Sequence, residues 1–374
     1  MSAPTPGELR DAYAGRRVLV TGHTGFKGGW LTLWLHALGA NVTGYSLAPD
    51  TEPALCEDLS LERLCQNLVA DVRDRARIEA SLNEIRPDVV FHLAAQSLVR
   101  RSYDRPLETI ETNFLGTANL LEAIRVLGRP CAVVVVTSDK CYENREWVYG
   151  YREDDPLGGH DVYSMSKGAA ELLVSSYRRS FFPPARLASH KVAVATARAG
   201  NVIGGGDWAR DRLVPDVVRA LAAGQRALVR NPQAVRPWQH VLEPLGGYLL
   251  LGARLMRFGT RDPARFCAAW NFGPYSENSR SVAALATAVV DAWEGGSWEA
   301  GSEPGAPHEA SLLRLAIDKA QAELGWAPRW GFHQSCARTV EWYRAHHAGL
   351  RGSALRDFTL QQIDDYMQAG GPRA

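Results

Sequence analysis

The chain has 374 residues, of which 46% are hydrophobic and 22% charged, and its formal net charge at pH 7 is +1. This size leaves room for a large core and for two domains of roughly 150 residues each, and the composition excludes a disordered chain. A net charge so close to zero argues against a nucleic-acid-binding protein, since such proteins usually carry a basic face.

The first predicted element is a short β-branched strand, residues 17–21, followed by a glycine-rich turn and a helical pattern over residues 30–38. The turn reads Gly22-His23-Thr24-Gly25-Phe26-Lys27-Gly28. This order is typical of a dinucleotide-binding fold, in which glycines let the backbone approach a pyrophosphate at the helix N-terminus. The spacing is G-x-x-G-x-x-G, however, and a chain with 34 glycines contains near matches by chance. An ordinary turn therefore stays an alternative at this point.

Strands and helices then alternate at short intervals. Strands are predicted over residues 41–46, 68–72, 88–93 and 133–136, and helices over residues 75–86 and 106–127. The second strand ends without the acidic residue that usually binds the ribose 2′-hydroxyl of NAD. The strand over residues 88–93 runs into Ala94 and Ala95, whose small side chains would let a cofactor approach the sheet. The alternation predicts an α/β fold with a Rossmann-like, doubly wound parallel sheet.

The alternation of strands and helices continues with a helix after Lys167 and a strand over residues 192–198, which ends in a glycine-rich loop. The alternation becomes irregular beyond Asp211, where Pro, Trp and Arg become frequent. We therefore predict a dinucleotide-binding domain over residues 1–200, rejoined by about 238–260, with a helix over 246–256. Residues 201–237 and 261–374 would form a smaller mixed α/β substrate domain, with a surface loop over 294–307.

The central stretch runs from residue 133 to residue 167 and carries the strongest chemical signal. Only five of the 42 basic residues are lysines, and two of these are Lys140 and Lys167. A lysine retained in an arginine-rich chain suggests a need for an amine whose pKa can shift. Tyr163 and Lys167 lie four residues apart on a predicted helix, and therefore on one face. An ammonium beside a phenol lowers the phenol's pKa, so the pair would act as a general base toward a hydroxyl proton. Ser138 follows the strand and would contact the same substrate oxygen. A surface Tyr beside a solvated Lys is the alternative.

These residues together resemble the extended short-chain dehydrogenases/reductases. The resemblance rests on the glycine turn, Leu93-Ala94-Ala95, Asn113, Ser138 and Tyr163-x-x-x-Lys167, and it covers nearly the whole chain. Within that superfamily, longer strings resemble the nucleotide-sugar 4,6-dehydratases that act on CDP-glucose. Those strings are Gly22-His23-Thr24-Gly25-Phe26-Lys27-Gly28, Thr137-Ser138-Asp139-Lys140-Cys141-Tyr142 and Arg236-Pro237-Trp238-Gln239-His240.

The resemblance implies an internal redox reaction of a nucleotide sugar. Bound NAD+ would oxidise C4 with Tyr163 as the base, water would leave across C5–C6, and the hydride would return to C6. The product would be a 4-keto-6-deoxy sugar for deoxysugar biosynthesis. Related dTDP-glucose enzymes carry an Asp-Glu pair where this chain has Asp139-Lys140. We expect Asp139 to be the acid at the C6 hydroxyl and neutral Lys140 the base at C5; alternatively, Lys140 only orients Asp139 and a water is the base.

The remaining site residues follow from the same resemblance. The expected cofactor contacts are Gly22, His23, Gly25, Phe26, Lys27, Gly28, Asp71, Val72, Leu93, Ala94, Ala95, Asn113, Tyr163 and Lys167. The expected substrate contacts are Asn201 and Arg236 at the diphosphate, since a guanidinium fork suits its oxygens, and Arg212 and Val214 near the base and ribose. A solvated surface Arg is the alternative for Arg212. NAD is the expected cofactor, although the missing acid after the second strand leaves NADP open.

Two rival functions use the same motifs. A nucleotide-sugar 4-epimerase needs Tyr163 and Lys167 but no acid–base pair, so Asp139-Lys140 argues against it. A catalytically inactive Rossmann protein that senses redox state or binds a partner would be free to lose Tyr163 or Lys167, and both are present. Apolar outer positions at Leu120, Leu121, Leu172 and Leu173 are either core or, as the resemblance implies, a homodimer interface.

Several features predict a cytoplasmic protein without a metal site. The six cysteines are widely spaced and include no C-x-x-C pair, so neither zinc nor a disulfide framework is indicated. The polar start over residues 1–14 does not resemble a signal peptide. No run approaches the roughly 18 apolar residues of a membrane span.

Overall fold

Seven parallel strands form one sheet at the centre of the structure, a computed structural model that describes residues 6–258, 262–301 and 312–369. The strands of the described residues are β1 (Arg17–Thr21), β2 (Asn41–Ser46), β3 (Gln66–Val69), β4 (Val89–His92), β5 (Cys131–Val136), β6 (Val192–Arg198), β7 (Val202–Ile203), β8 (Ala227–Arg230), β9 (Val235–Pro237), β10 (Gln239–His240), β11 (Ala269–Asn271), β12 (Ser279–Ser281) and β13 (Trp298–Gly301).

Fifteen α-helices accompany them in the described ranges. They are α1 (Pro6–Tyr13), α2 (Phe26–Ala37), α3 (Leu55–Asp58), α4 (Arg75–Ile85), α5 (Val99–Asp104), α6 (Pro106–Ile110), α7 (Gly116–Leu127), α8 (Val162–Ser180), α9 (Leu187–His190), α10 (Leu213–Ala222), α11 (Leu242–Leu255), α12 (Asp262–Phe266), α13 (Val282–Trp293), α14 (Phe332–His347) and α15 (Gly352–Gln368). Short 3₁₀ turns cover Leu61–Arg63, Asp139–Cys141, Pro184–Arg186 and Ser276–Asn278, and π turns cover Glu111–Leu115 and Ala320–Leu324.

The strand order of the large sheet is β11-β6-β5-β4-β1-β2-β3, and every pairing in it is parallel. The order reverses direction between β1 and β4, which is the switch point of a doubly wound sheet. The predicted fold class is therefore confirmed. Three two-stranded sheets lie outside it: β7–β10 and β8–β13 are parallel, and β9–β12 is antiparallel.

Both faces of the central sheet are covered, as the apolar character of β5 requires. All six residues of β5 are buried. Val134 and Val136 belong to one core cluster, which includes residues of α2 and α11, whereas Val133 and Val135 belong to a second cluster with residues of α4 and α7. The first cluster also contains residues of α10 and α13, from the predicted substrate domain. The division into two domains stays a prediction.

Element boundaries differ from the sequence expectation at several places. Helix α2 begins at Phe26, four residues before the apolar pattern at Trp30, because Gly25 already ends the turn in an extended conformation. The predicted helix over 106–127 is interrupted by the π turn Glu111–Leu115. The predicted surface loop contains β13, which pairs with β8, so that part of the prediction was wrong. Residues 302–307 of the same loop lie outside the described residues.

Two of the four leucines proposed as outer positions are core residues. Leu120 and Leu121 have no exposed surface and pack between α7 and the sheet, so they are not available to a partner. Leu173 also packs against that core, whereas Leu172 is 59% exposed. Within residues 6–258, 262–301 and 312–369, none of the helices combines the length and the apolar character that a membrane crossing requires.

Candidate active site

A cavity of about 1710 Å³ opens along the carboxyl edge of the central sheet. Its walls come from the turn after β1, the segments that follow β3 to β6, the start of α8 and the segment before α10. The size exceeds the roughly 300–1,000 Å³ of a site for one drug-sized ligand. The cavity therefore has room for two large ligands end to end.

The glycine turn is tightly packed where it meets the neighbouring strand and helix. Gly22 has a φ of +76°, and a Cβ there would lie 2.7 Å from the backbone nitrogen of Ala94. A Cβ on Gly28 would lie 2.0 Å from the carbonyl oxygen of Gly22. Side chains at these positions would push the turn away from the sheet, so the glycines are required by packing. The turn is therefore not an ordinary surface turn.

The N-terminus of α2 faces the cavity without a side-chain cap. Gly25 makes no capping hydrogen bond, and the first turn contains no acidic residue. The free N–H groups at a helix N-terminus carry a partial positive charge and bind anions. Gly22, Gly25, Phe26, Lys27 and Gly28 all line the cavity at this point.

Lys27 and His23 point in different directions. Lys27 lines the cavity, and its pKa is lowered to about 8 by burial and by the nearby cations Arg212 and Lys167. His23 is 2% exposed and does not line the cavity. Its Nε2 lies 2.9 Å from the side-chain oxygen of Asn67, and its ring occupies the space over Gly44. The expectation that His23 faces a cofactor is not met by this geometry.

The segment after β3 lines the far end of the cavity. Asp71 and Val72 both line the cavity, and Asp71 is paired with Arg73 at 2.6 Å; their contact with the cofactor stays a prediction. Burial tends to raise the pKa of Asp71, and the hydrogen bonds from Arg73 outweigh it and lower the pKa. At the end of β2, Ser46 takes the place of the missing acid and lies 2.8 Å from the hydroxyl of Thr24.

The segment after β4 forms the middle of the cavity floor. Leu93, Ala94 and Ala95 line it, whereas Asn113 lies behind it and is 2% exposed. The Asn113 side chain accepts from the backbone N–H of Gln96 at 2.8 Å and donates to the Gln96 carbonyl and the Ser166 hydroxyl, both at 2.9 Å. Asn113 therefore joins this segment to α8, and the structure does not place it at the cofactor surface.

Tyr163 lies at the start of α8 with its side chain 7% exposed and facing the cavity. Asp161 caps the helix by accepting from the backbone N–H of Ser164 at 2.8 Å. Burial raises the pKa of Tyr163 to about 12, and a hydrogen bond with Ser138 and the charge of Arg212 oppose this rise. That Lys167 also lowers the phenol's pKa stays a prediction.

Lys167 lies one turn further along α8 and also lines the cavity. Its side chain is 6% exposed, and burial lowers its pKa to about 8. The nearby carboxylate of Glu171 acts in the opposite direction. Lys167 is thus an amine that changes protonation close to neutral pH.

The 3₁₀ turn Asp139–Cys141 places Asp139 and Lys140 beside this pair. The Ser138 hydroxyl accepts from the backbone N–H of Lys140 at 3.2 Å and donates to Asp139 Oδ1 at 3.0 Å. Asp139 is 1% exposed, and its carboxylate lies where a Cβ of Gly200 would be. Asn201 donates to Asp139 Oδ2 at 3.3 Å, so this residue, expected at a diphosphate, also supports the carboxylate. Lys140 and Asn201 both line the cavity.

Three further expected residues line the cavity. Arg212 donates to Asp207 at 2.8 Å and to the Ser97 hydroxyl at 3.1 Å, with about a third of its side chain exposed. It is therefore a held cation and not a freely solvated one. Val214 is 3% exposed and Arg236 is 8% exposed.

Sequence reasoning missed the polar residues that support these groups from below. Asp207, the partner of Arg212, was interpreted only as part of a glycine-rich loop. Glu171 and Arg198 form an ion pair at 2.9 Å, with 3% of each side chain exposed, directly under the turn that carries Asp139. Within the described residues, no group of three or more His, Cys, Asp or Glu side chains could bind a metal ion.

Comparisons with known proteins agree on one class. A family model described as GDP-mannose 4,6-dehydratase matches residues 19–339. A CDP-glucose 4,6-dehydratase of Salmonella typhimurium is 48% identical over 361 residues, which cover 96% of this chain and 98% of that protein.

Two solved structures share the fold. The dTDP-glucose 4,6-dehydratase DesIV from Streptomyces venezuelae has a TM-score of 0.73 at 23% identity, with 89% of this chain and 98% of that chain covered. The UDP-glucose 4-epimerase of Thermus thermophilus, in complex with NAD, has a TM-score of 0.71 at 25% identity, with 88% and 99% covered.

Proposed function

The chain belongs to the GDP-mannose 4,6-dehydratase family of nucleotide-sugar enzymes, and we propose that within this family it is an NAD-dependent CDP-glucose 4,6-dehydratase. The resemblance inferred from the motifs is thereby confirmed. One observation carries the proposal beyond the family. Asp139 and Lys140 lie beside Ser138 and Tyr163 in one cavity, so an acid–base pair for loss of water adjoins a base for alcohol oxidation.

The residues of the cavity fit NAD. The uncapped N-terminus of α2 suits a pyrophosphate, and the turn at Gly22 and Gly28 leaves no room for a side chain in front of it. Ala94 and Ala95 line the cavity, and their small side chains leave room for the cofactor. When bound, NAD supplies the hydride acceptor for C4 and the donor for C6. Nucleotide released by denaturation should be NAD, and NADP would contradict the assignment.

Tyr163 takes the proton of the sugar O4 hydroxyl during oxidation. Its phenolate is stabilised by the charge of Arg212 and by the Ser138 hydroxyl, once that hydroxyl turns its proton from Asp139 to the phenol oxygen. These groups are needed because burial alone holds the pKa of Tyr163 far above neutrality. Lys167, one turn away, provides a second positive charge when protonated.

Asp139 and Lys140 then carry the elimination. The Lys140 amine takes the C5 proton, which the C4 ketone has made acidic; the C5–H electrons form the C5–C6 double bond, and the C6–O bond breaks. Asp139 gives its proton to the leaving hydroxyl, which departs as water, and Lys140 later returns a proton to C5. In the alternative, a water is the base and Lys140 only orients Asp139. Deuterium exchange at C5 would then survive in Lys140→Ala.

Arg236 and Arg212 bind the CDP portion. Both are cations that line the cavity and are largely or partly buried, and a guanidinium pairs with diphosphate oxygens through two parallel hydrogen bonds. Val214 provides an apolar surface close to Arg212 for the base and ribose. Asn201 lies between Asp139 and this region and contacts the diphosphate from there.

A substrate panel of CDP-, dTDP-, GDP- and UDP-glucose (or mannose for GDP) tests the proposal. CDP-glucose should give a 4-keto product that develops a chromophore in alkali, with the highest kcat/KM of the four. Epimerisation at C4 without ketone formation would overturn the proposal in favour of a 4-epimerase. A preference for another nucleotide would overturn the CDP assignment alone.

We further propose that the protein is a cytoplasmic homodimer. Four apolar side chains between 47% and 59% exposed lie on or beside α7 and α8, namely Leu115, Val126, Leu172 and Phe181. Joining these outer faces across a two-fold axis would cover them. Light scattering at micromolar concentration should give twice the chain mass, and Leu172→Glu should reduce it; a monomeric parent would contradict the proposal.

A further inference from the structure

An ion pair lies below the cavity floor and takes no part in the reaction as described. Glu171 and Arg198 are each 3% exposed, and their charged atoms are 2.9 Å apart. Removing two charges from water costs several kcal/mol for each ion, so such a pair contributes little net stability. The hydrogen bonds that Glu171 and Arg198 make to other residues therefore indicate a role other than stability.

Glu171 lies four residues after Lys167 and eight after Tyr163 on α8, so the three share one helix face. Its Oε1 accepts a hydrogen bond from the Thr137 hydroxyl at 2.5 Å. Its Oε2 accepts from Thr196 at 2.7 Å and from Arg198 at 2.9 Å. Thr137 is the residue directly before Ser138, so the carboxylate joins the catalytic helix to the start of the catalytic turn.

Arg198 reaches the other end of the same turn. Its Nη1 donates to the Tyr142 hydroxyl at 2.6 Å and to the Glu153 carbonyl at 2.9 Å. The Tyr142 hydroxyl in turn donates to the side-chain oxygen of Asn271 at 2.8 Å. Tyr142 directly follows the turn Asp139–Cys141. The pair thus holds the turn on both sides, through Thr137 before it and Tyr142 after it.

We propose that Glu171, acting with Arg198, is a positioning residue that holds Asp139 and Lys140 in register with Tyr163 and Lys167. This inference rests on the proposed dehydratase function, because the register matters only if both pairs act on one sugar. Oxidation at C4 needs Tyr163 and Lys167 with Ser138, whereas elimination also needs Asp139 and Lys140 at a fixed distance from the same ring. Loss of the connection should therefore slow elimination more than oxidation.

Thr137→Val and Thr196→Val form a matched pair of variants. Each exchanges a buried threonine for valine and removes one hydroxyl donor from the Glu171 carboxylate. Only Thr137 leads into the turn, whereas Thr196 lies within β6. Both variants should lower the melting temperature by similar amounts, because they lose similar hydrogen bonds.

The variants should differ in catalysis. We expect Thr137→Val to lower kcat for 4-keto-6-deoxy product by about 10- to 100-fold, the cost of a misplaced catalytic group. The single-turnover rate of C4 oxidation, which uses Ser138 but neither Asp139 nor Lys140, should fall much less, and the KM for CDP-glucose should stay close to wild type. Reduced cofactor should then accumulate on the enzyme, seen as absorbance at 340 nm during turnover. Thr196→Val should keep both rates within about threefold of wild type, and Thr137→Ser, which keeps the hydroxyl, should restore elimination.

Equal effects of Thr137→Val and Thr196→Val, or a Thr137→Val enzyme that loses oxidation and elimination together, would overturn the inference. If Thr137→Val does not fold, Tyr142→Phe removes the hydroxyl at the other end and should show the same accumulation of reduced cofactor; no accumulation would again overturn it. A wild-type enzyme that makes no 4-keto product would instead refute the proposed function.

Discussion

Replacing Ser138 with alanine should disable Tyr163 without removing it. The Ser138 hydroxyl is the main group that opposes the effect of burial on the phenol, whose pKa is about 12. A hydrogen bond to a charged group contributes about 1.5–3 kcal/mol. At 1.36 kcal/mol for each pKa unit, its loss should raise the pKa of Tyr163 by roughly one to two units.

The sign of the pH effect follows from the role of Tyr163 as a base. A base works only when deprotonated, so activity falls as the pH drops below its pKa. A higher pKa moves the acidic limb of the kcat/KM profile to higher pH, by about one to two units. At neutral pH, which lies below that limb, kcat/KM should fall by about 10- to 100-fold.

The assay is kcat/KM for ketone formation from CDP-glucose at neutral pH, together with the single-turnover rate of C4 oxidation followed as reduced cofactor, because a limb set by a pKa of about 12 lies above the usual assay range. Ser138→Thr is the matched control, since it keeps a hydroxyl at the same carbon and should leave both rates near wild type. Ser138 also bonds Asp139 and the backbone of Lys140. If Ser138→Ala lowers ketone formation but leaves the single-turnover rate of C4 oxidation unchanged, the hydroxyl acts through those two residues, and the assignment to Tyr163 is refuted.

Three further predictions concern other residues. Lys140→Ala should leave C4 oxidation measurable, as bound reduced cofactor, while abolishing deuterium exchange at C5 in D2O; unchanged exchange would show that Lys140 is not the base. Arg236→Lys should raise the KM for CDP-glucose by about tenfold with little change in kcat, because a lysine cannot bind two oxygens at once; an unchanged KM would remove Arg236 from the binding site. Glu243 is fully buried and accepts from the backbone N–H groups of Arg329 and Trp330, and burial raises its pKa to about 7 from an ordinary 4.5. Its contribution to the free energy of unfolding is present below about pH 4.5 and is lost as the pH rises through about 7, a change of about 3 kcal/mol. In denaturant titrations, Glu243→Gln should lack this loss, and a parallel pH dependence in the two proteins would contradict it.

The order of strands and helices was predictable because the signals are local. Short apolar runs separated by helical patterns gave the central strands to within two residues at most ends, as at β2 and β6. The errors arose where the backbone, and not apolar periodicity, decides the boundary. Gly25 starts α2 before the first buried apolar residue, and the π turn at Asn113 breaks a helix whose sequence pattern is continuous.

Side-chain direction was less predictable than position. His23 and Lys27 lie in the same seven-residue turn, and both were expected at the cofactor. Lys27 faces the cavity, but His23 fills the space over Gly44, a contact with the neighbouring strand that the spacing of the turn cannot reveal. The pKa of Tyr163 was unpredictable for a similar reason. The spacing of Tyr163 and Lys167 gives their shared helix face, but it gives neither the degree of burial, which raises the pKa of Tyr163, nor the positions of Ser138 and Arg212, which lower it.

A signal for Glu171 was nevertheless present in the sequence. The buried face of α8 includes Tyr163, Lys167, Ala170, Glu171 and Val174, at helical spacing. Three ionisable side chains on the stripe that carries Ala170 and Val174 are unexpected for a face that packs on a sheet, since burying an unpaired charge is costly. Each of these three side chains must therefore pair with another group or take part in the reaction. Tyr163 and Lys167 were given a role because they match a known motif, whereas Glu171 was given none. Its partner, Arg198, lies on the next strand of the sheet, so the pairing becomes visible only once α8 is placed against β5 and β6.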